Sequence, residues 1–209
     1  MKKTFFAAII CAMTAISPLF GQAHMQSLSF IGPSTIDITT TNTFTLSVNL
    51  TFSGYSAIGL SYWLQVQSAL APFLTITGVT HFTFLNATPP PPIINFDCTG
   101  VIMGDYCGET FDLGGTVNDP AMKQVPPETY HVTDLTFMLA PGAPLGMYDL
   151  RSSTAIPRRS EVTDTDFNDN NLPAAHFTIN IVPEPSTLAL LALAAVGCGL
   201  MAYGRRKSG

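Results

Sequence analysis

An all-β sandwich is the fold this sequence predicts for its middle, and three observations carry the prediction. Phe44, Leu46, Val48, Leu50 and Phe52 alternate with Thr43, Thr45, Ser47, Asn49 and Thr51. A period of two puts those apolar side chains on one face of a strand, where a helix would scatter them around its axis. The rhythm recurs at Ile58, Leu60, Tyr62, Leu64 and Val66, with Trp63 on the opposite face. No amphipathic helical pattern interrupts the region between the two ends. About eight or nine strands without βα alternation pack as sheet upon sheet.

Met1-Lys2-Lys3 is a positively charged start, Thr4 to Phe20 is an apolar run, and Gly21-Gln22-Ala23 offers small residues for cleavage. Residues 1–23 are therefore expected to be a signal peptide, with His24 opening the exported domain, 24–181. Besides the two runs above, strands are expected at 27–31, 35–40, 73–84, 129–139, 146–151 and 174–182. These stretches are rich in Thr, Val, Ile, Phe and Tyr and are punctuated by Gly32-Pro33 and Pro141-Gly142. Residues 85–128 break the rhythm, because Pro89 to Pro92 cannot join a central strand. Cys98 and Cys107 follow. Cys11 lies in the leader and Cys198 in the C-terminal apolar run, so these two remain for the exported domain. In an oxidising compartment they are expected to form a disulfide, stabilising the fold by ~2–3 kcal/mol. Zinc is disfavoured, since no second Cys or His pair stands at ligand spacing.

Only 11% of the residues are charged, against about 25% in an average soluble domain. Five of the nine basic residues sit in the ends, which leaves Lys123, Arg151, Arg158 and Arg159 in 24–182. Thirteen acids face those four bases, a net charge of −9. Such a domain repels phosphate backbones, which excludes nucleic acid as a partner.

The candidate chemistry is thin, and the chain is expected not to be an enzyme. There is no Gly-x-Ser-x-Gly elbow and no Gly-rich phosphate loop. Asp164, Asp166 and Asn168 open an oxygen-rich loop of the kind that holds calcium. Asp169 stands where an EF-hand needs Gly, and Ala175 where it needs Glu, so a turn held by Asx hydrogen bonds is the plainer expectation. Asp97, Asp105, Glu109 and Asp112 make a second acidic group, suited to calcium or to keeping the loop solvated. If cleavage follows Ala23, His24 offers an amine and an imidazole together. With His81, His131 or His176 that resembles the copper-holding histidine brace of lytic polysaccharide monooxygenases, the third-ranked reading. Trp63, Tyr62 and Tyr55 would suit a sugar-stacking platform, although aromatics in a sandwich are more often core.

The C-terminus speaks more clearly. Val182-Pro183-Glu184-Pro185-Ser186-Thr187 breaks the last strand with two prolines. Leu188 to Tyr203 then carries no charge, and Arg205-Arg206-Lys207 follows. Sixteen helical residues span ~24 Å, close to a hydrocarbon core of ~30 Å, and the basic cluster would stop the span. Motif (182–187), span (188–203) and basic tail (204–209) together resemble the PEP-CTERM sorting signal of bacteria that export polysaccharide. The resemblance implies recognition by an exosortase, a membrane transpeptidase that cuts near the Pro-Glu-Pro motif. It further implies membrane insertion through the C-terminal helix before processing, then delivery to the cell surface or extracellular matrix. The middle is similar to the cohesin-like, carbohydrate-module-like and other jelly-roll sandwiches. That likeness rests on Thr43–Phe52, Ile58–Val66, Leu135–Phe137, Pro144–Leu150 and His176–Val182. It implies a structural or adhesive domain, or alternatively a carbohydrate-binding module with exopolysaccharide as partner.

Overall fold

The alternating run at 43–52 folds as β3 (Thr43–Ser53), with Phe44, Leu46, Val48, Leu50 and Phe52 buried and Thr43, Thr45 and Thr51 exposed. The computed structural model describes residues 24–38, 41–82, 85–99, 105–117 and 126–183. The expected signal peptide, Glu184 and Pro185, the apolar span and the basic cluster lie outside the described residues.

The remaining strands, in chain order, are β1 (Met25–Ile31), β2 (Thr35–Asp37), β4 (Ala57–Ser61), β5 (Leu64–Gln67), β6 (Leu74–His81), β7 (Leu85–Asn86) and β8 (Ile94–Asn95). There follow β9 (Tyr106–Gly108), β10 (Gly115–Val117), β11 (Thr129–Leu139), β12 (Gly146–Ser152), β13 (Glu161–Asp164), β14 (Asp169–Asn171) and β15 (His176–Val182). A 3-10 turn, Ala71–Phe73, precedes β6. The chain is thus an all-β sandwich.

One layer is the sheet β1-β3-β11-β6-β8. β3 and β11, eleven residues each, pair antiparallel from Thr51 opposite Thr129 to Thr43 opposite Met138. Their inward faces interlock, with the Phe44 and Phe137 rings stacked 5.1 Å apart. The other layer consists of two sheets, β2-β15-β12-β5-β9 and β14-β13-β4-β10-β7. Strands occupy them in matching order: β15 beside β12, β5 and β9 in one, β14 beside β13, β4 and β10 in the other. Each pair is joined by a short connection, so this layer is one sheet broken along a line. The run expected as one strand at 58–66 is split there, between Ser61 and Leu64. Both parts keep their alternation, with Leu60, Tyr62, Leu64 and Val66 all buried.

Other boundaries differ modestly. The strand expected at 35–40 ends at Asp37, and that expected at 73–84 ends at His81. The region 85–128, read as irregular, contributes β7 to β10, each two or three residues long. β8, β10 and β9 are recruited by pairing onto β6, β4 and β5, and β7 onto β10, a tertiary effect that local propensity does not carry.

The registers define two ends. β1 starts beside Ser53 and finishes at Ile31 beside Ser47, while β15 runs parallel to β2 and finishes with Val182 beside Asp37. Leu139 ends β11 against Leu74 and donates its N–H to the Asn42 carbonyl at 2.7 Å. One end therefore gathers Ile38, residues 41–42 and loops 68–73 and 140–145 with the exit of β15, while loop 31–34 leaves β1 lower down, beside Ser47. The opposite end gathers His24, residues 53–57, Glu128 and the 164–169 loop.

Candidate sorting site and exposed sheet face

Val182, first residue of the candidate motif, is the last residue of β15. It is half-buried opposite Asp37, and its carbonyl accepts the Ile38 N–H at 3.4 Å. The motif therefore begins inside the folded domain and leaves it at Pro183, which has no N–H to continue the ladder. Beside the exit lies a shallow depression of about 480 Å³, lined by Ile38, Thr41, Asn42 and the 139–142 turn.

Cys98 and Cys107 are joined, with Cα atoms 4.3 Å apart. The bridge ties the turn after β8 to buried Cys107 on β9, where Asp97 and Gly108 exchange backbone hydrogen bonds at 2.8 and 3.2 Å.

The acids around this bridge do not converge on one point. Asp97 caps its own turn, accepting from the Thr99 N–H and hydroxyl at 2.7 Å. Those two bonds hold its carboxyl below the usual carboxylate range. Glu109 and Asp112 fill the break in the second layer. One Glu109 oxygen accepts the Leu64 N–H at 3.1 Å and the other accepts the Phe111 N–H. Asp112 Oδ1 accepts the N–H groups of Tyr62 and Gly114 at 3.1 and 2.9 Å. Both carboxylates thus replace a missing β-ladder partner where the strand changes sheets. Three buried serines complete the repair. Ser152 Oγ accepts the Ala175 N–H at 2.9 Å, Ser160 Oγ accepts the Trp63 N–H at 3.4 Å, and the Ser153 N–H reaches the Trp63 carbonyl at 2.8 Å. Buried backbone groups must find partners, and here side chains supply most of them. Glu109 is wholly buried, so it does not solvate the loop. Burial pushes its carboxyl up to about 8, against the opposing pull of the two N–H donors and Arg158.

Asp164 organises the loop that the sequence marked for calcium. Its Oδ1 accepts the Asp166 and Asn168 N–H groups, both at 2.9 Å, and its Oδ2 accepts the Asn170 amide at 3.2 Å. Asn168 turns its own amide nitrogen, not its oxygen, toward this carboxylate. Burial would raise the Asp164 carboxyl, but these donors outweigh it and hold the group below the usual range. Asp166 is exposed.

The four histidines keep different company. His24 packs on Tyr55, with ring centroids 4.8 Å apart, and its Nδ1 lies 3.3 Å from Asn170 Oδ1. His81 Nδ1 meets the Thr133 hydroxyl at 3.4 Å, and burial lowers its pKa. His131 meets Asp134, and His176 meets Asp149, each at 2.8 Å. Among the described residues no group of three or more His, Cys, Asp or Glu side chains gathers where a metal could sit.

The aromatic trio does not form an open platform. Tyr62 is fully buried, Tyr55 is wedged between Phe52 and His24, and Trp63 is half-exposed. A different group occupies the outward face of β9, β5, β12 and β15. The Arg151 guanidinium stacks 3.6 Å over the Tyr106 ring, and its Nε donates to Gln65 Oε1 at 3.0 Å. Asp149 Oδ2 accepts the Tyr106 hydroxyl at 2.7 Å and meets His176 Nδ1 at 2.8 Å. Sequence reading missed this face, because Tyr106 lies in the irregular region and its register against β5 is a tertiary fact. The signal available was the single Arg in a strand-like run, Arg151.

Residues 182–207 match the PEP-CTERM protein-sorting motif. No curated protein matches the chain. Among solved structures, the chain is similar to a cohesin module from a family 33 glycoside hydrolase of Clostridium perfringens, at 11% identity and TM-score 0.47, covering 78% of this chain and 100% of that one. The seventh ScaB type I cohesin from Pseudobacteroides cellulosolvens is similar at 10% identity and TM-score 0.44, with 76% and 94% covered. A non-cellulosomal cohesin from the archaeon Archaeoglobus fulgidus follows at 11% identity and TM-score 0.39, with 78% and 96% covered.

Proposed function

We propose that this is an exported protein whose C-terminal tail is a sorting device, and whose sandwich is structural or adhesive cargo. In this reading residues 1–23 are removed on export and 188–203 insert in the membrane. An exosortase-like transpeptidase then acts near Val182-Pro183-Glu184-Pro185, delivering the domain to the cell surface or matrix. The observation that carries the reading is the sorting-motif match at 182–207, which begins where the last strand ends. Domain and signal meet without a spacer, so cutting just beyond the strand would release the sandwich with its ladder whole. A role without catalysis fits a chain in which Asp97, Glu109, Asp112 and Asp164 accept backbone N–H groups. The test is mass spectrometry of the termini, on protein recovered separately from membrane and extracellular fractions of the host. An extracellular form beginning at His24 and ending between Pro183 and Ser186 is expected. A final form that keeps Leu188 to Gly209 would overturn sorting and make the tail a plain anchor.

A second reading, carbohydrate binding, draws support from the Tyr106–Arg151–Asp149–His176 face, since aromatic and charged side chains there present a ring edge and several hydrogen-bonding groups together. Retention on an exopolysaccharide column, lost in Tyr106→Ala, is its expected signature. Failure to bind any of a panel of glycans would remove it.

A further inference from the structure

The two ends of the sandwich differ in charge. At one end, the stretches 38–42, 68–73 and 139–147 contain no charged residue. Leu145 and Met147 stand exposed at this end, at 53% and 71%. Asp37 and Asp105 flank it. The opposite end also exposes apolar side chains, Met25 and Phe167, but sets them among Glu128, Asp164, Asp166 and Asp169. β15 delivers the chain to the first of these ends, with Asp37 beside Val182.

Chain length decides how near that end comes to a membrane. Val182 is held in the ladder, and Leu188 opens the apolar run six residues later. Whatever its conformation, that stretch reaches at most ~21 Å. β11, eleven residues long, runs the height of the sandwich, roughly 36 Å. The tether is therefore shorter than the domain is tall, and the acidic end cannot turn toward the bilayer without displacing β15. A domain of net charge −9 is repelled by anionic headgroups. The loops nearest the bilayer are the ones from which charge is missing.

We infer that Ile38, Thr41, Asn42 and the 139–147 loop form a docking surface for the lipid headgroup layer, against which the sandwich rests while its tail is inserted. Leu145 and Met147 are its apolar contacts, and Thr41 and Asn42 supply neutral polar ones. Docking holds the Pro183–Thr187 stretch at the bilayer surface, where a membrane-embedded transpeptidase would meet it. The inference rests on the tail reading proposed above.

The test uses the full chain in vesicles of brominated phosphatidylcholine. Trp63 is the single tryptophan, so Trp63→Phe gives a silent background for Leu145→Trp or Phe167→Trp, both at exposed positions, with circular dichroism checking the fold. Co-flotation is expected for both reporters, with quenching several-fold stronger at position 145 than at 167. The difference is expected to persist when a flexible Gly-Ser segment is inserted between Thr187 and Leu188. Co-flotation with equal quenching would overturn docking and leave tail insertion standing. Quenching that vanishes on lengthening the tether would show nearness without docking, and also overturns it. Absence of co-flotation would overturn the tail reading and the docking surface together.

Discussion

The two layers of the sandwich solve one problem by different means. In the β1-β3-β11-β6-β8 sheet, long strands satisfy one another's backbone, and the inward side chains are almost all apolar. In the opposite layer the ladder is interrupted, and Glu109, Asp112, Ser152 and Ser160 accept the backbone hydrogens left over. The difference teaches that acids in an exported domain need not be surface charge. Those of the second layer are parts of the backbone network, and the pKa of Glu109 there is shifted upward, whereas those of His81 and Asp134 in the first layer are shifted downward.

The comparison can be broken most forcefully from the first layer. Phe137→Ala removes a fully buried ring stacked on Phe44 and is expected to cost about 3–5 kcal/mol, read by urea unfolding. Glu109→Ala strands two N–H donors in the second layer and is expected to cost about 3 kcal/mol. A loss below about 1 kcal/mol would mean that water, not the carboxylate, satisfies the break.

The pH response follows from the same residue. Burial raises the Glu109 carboxyl from 4.5 to about 8 in the folded chain. Below 4.5 the group is protonated in folded and unfolded chains alike, and its contribution to stability is complete. Above that the unfolded chain gives up the proton more readily, so stability falls as pH rises toward about 8 and levels off beyond. Melting temperature against pH should show this decline, and Glu109→Gln should flatten it. An unchanged decline in the variant would assign the effect elsewhere.

Replacing Cys98 and Cys107 with serine should cost ~2–3 kcal/mol, the entropy of a short loop released in the unfolded chain. Added calcium is expected to have the smallest effect. The Asp164 oxygens are already taken by N–H donors, so millimolar calcium should leave the melting temperature unmoved. A rise of several degrees would make the loop a cation site.

Much of this was legible in the sequence. β3 was readable to within a residue because strict alternation over its length admits one buried face, and β11 because its run is rich in Thr, Val, Phe and Leu, although its bulge at His131–Thr133 was not visible. The disulfide was readable because elimination left one pair. The break between Ser61 and Leu64 was not, since Leu60, Tyr62, Leu64 and Val66 alternate straight through it. Nothing in that run says that its hydrogen bonds pass to side chains from residues 109–112. The Tyr106–Arg151 face was equally hidden, its members being 45 residues apart and brought together by β5 between them.

By itself, then, the sequence determined the all-β class, the bridge and the sorting motif, because periodicity, cysteine number and a contiguous signal are local properties. Tertiary structure alone decided that Glu109 is buried, that Tyr106 meets Arg151, and that β15 ends beside Asp37. Each of those depends on which strand lies beside which, and pairing partners are chosen by burial across the whole chain.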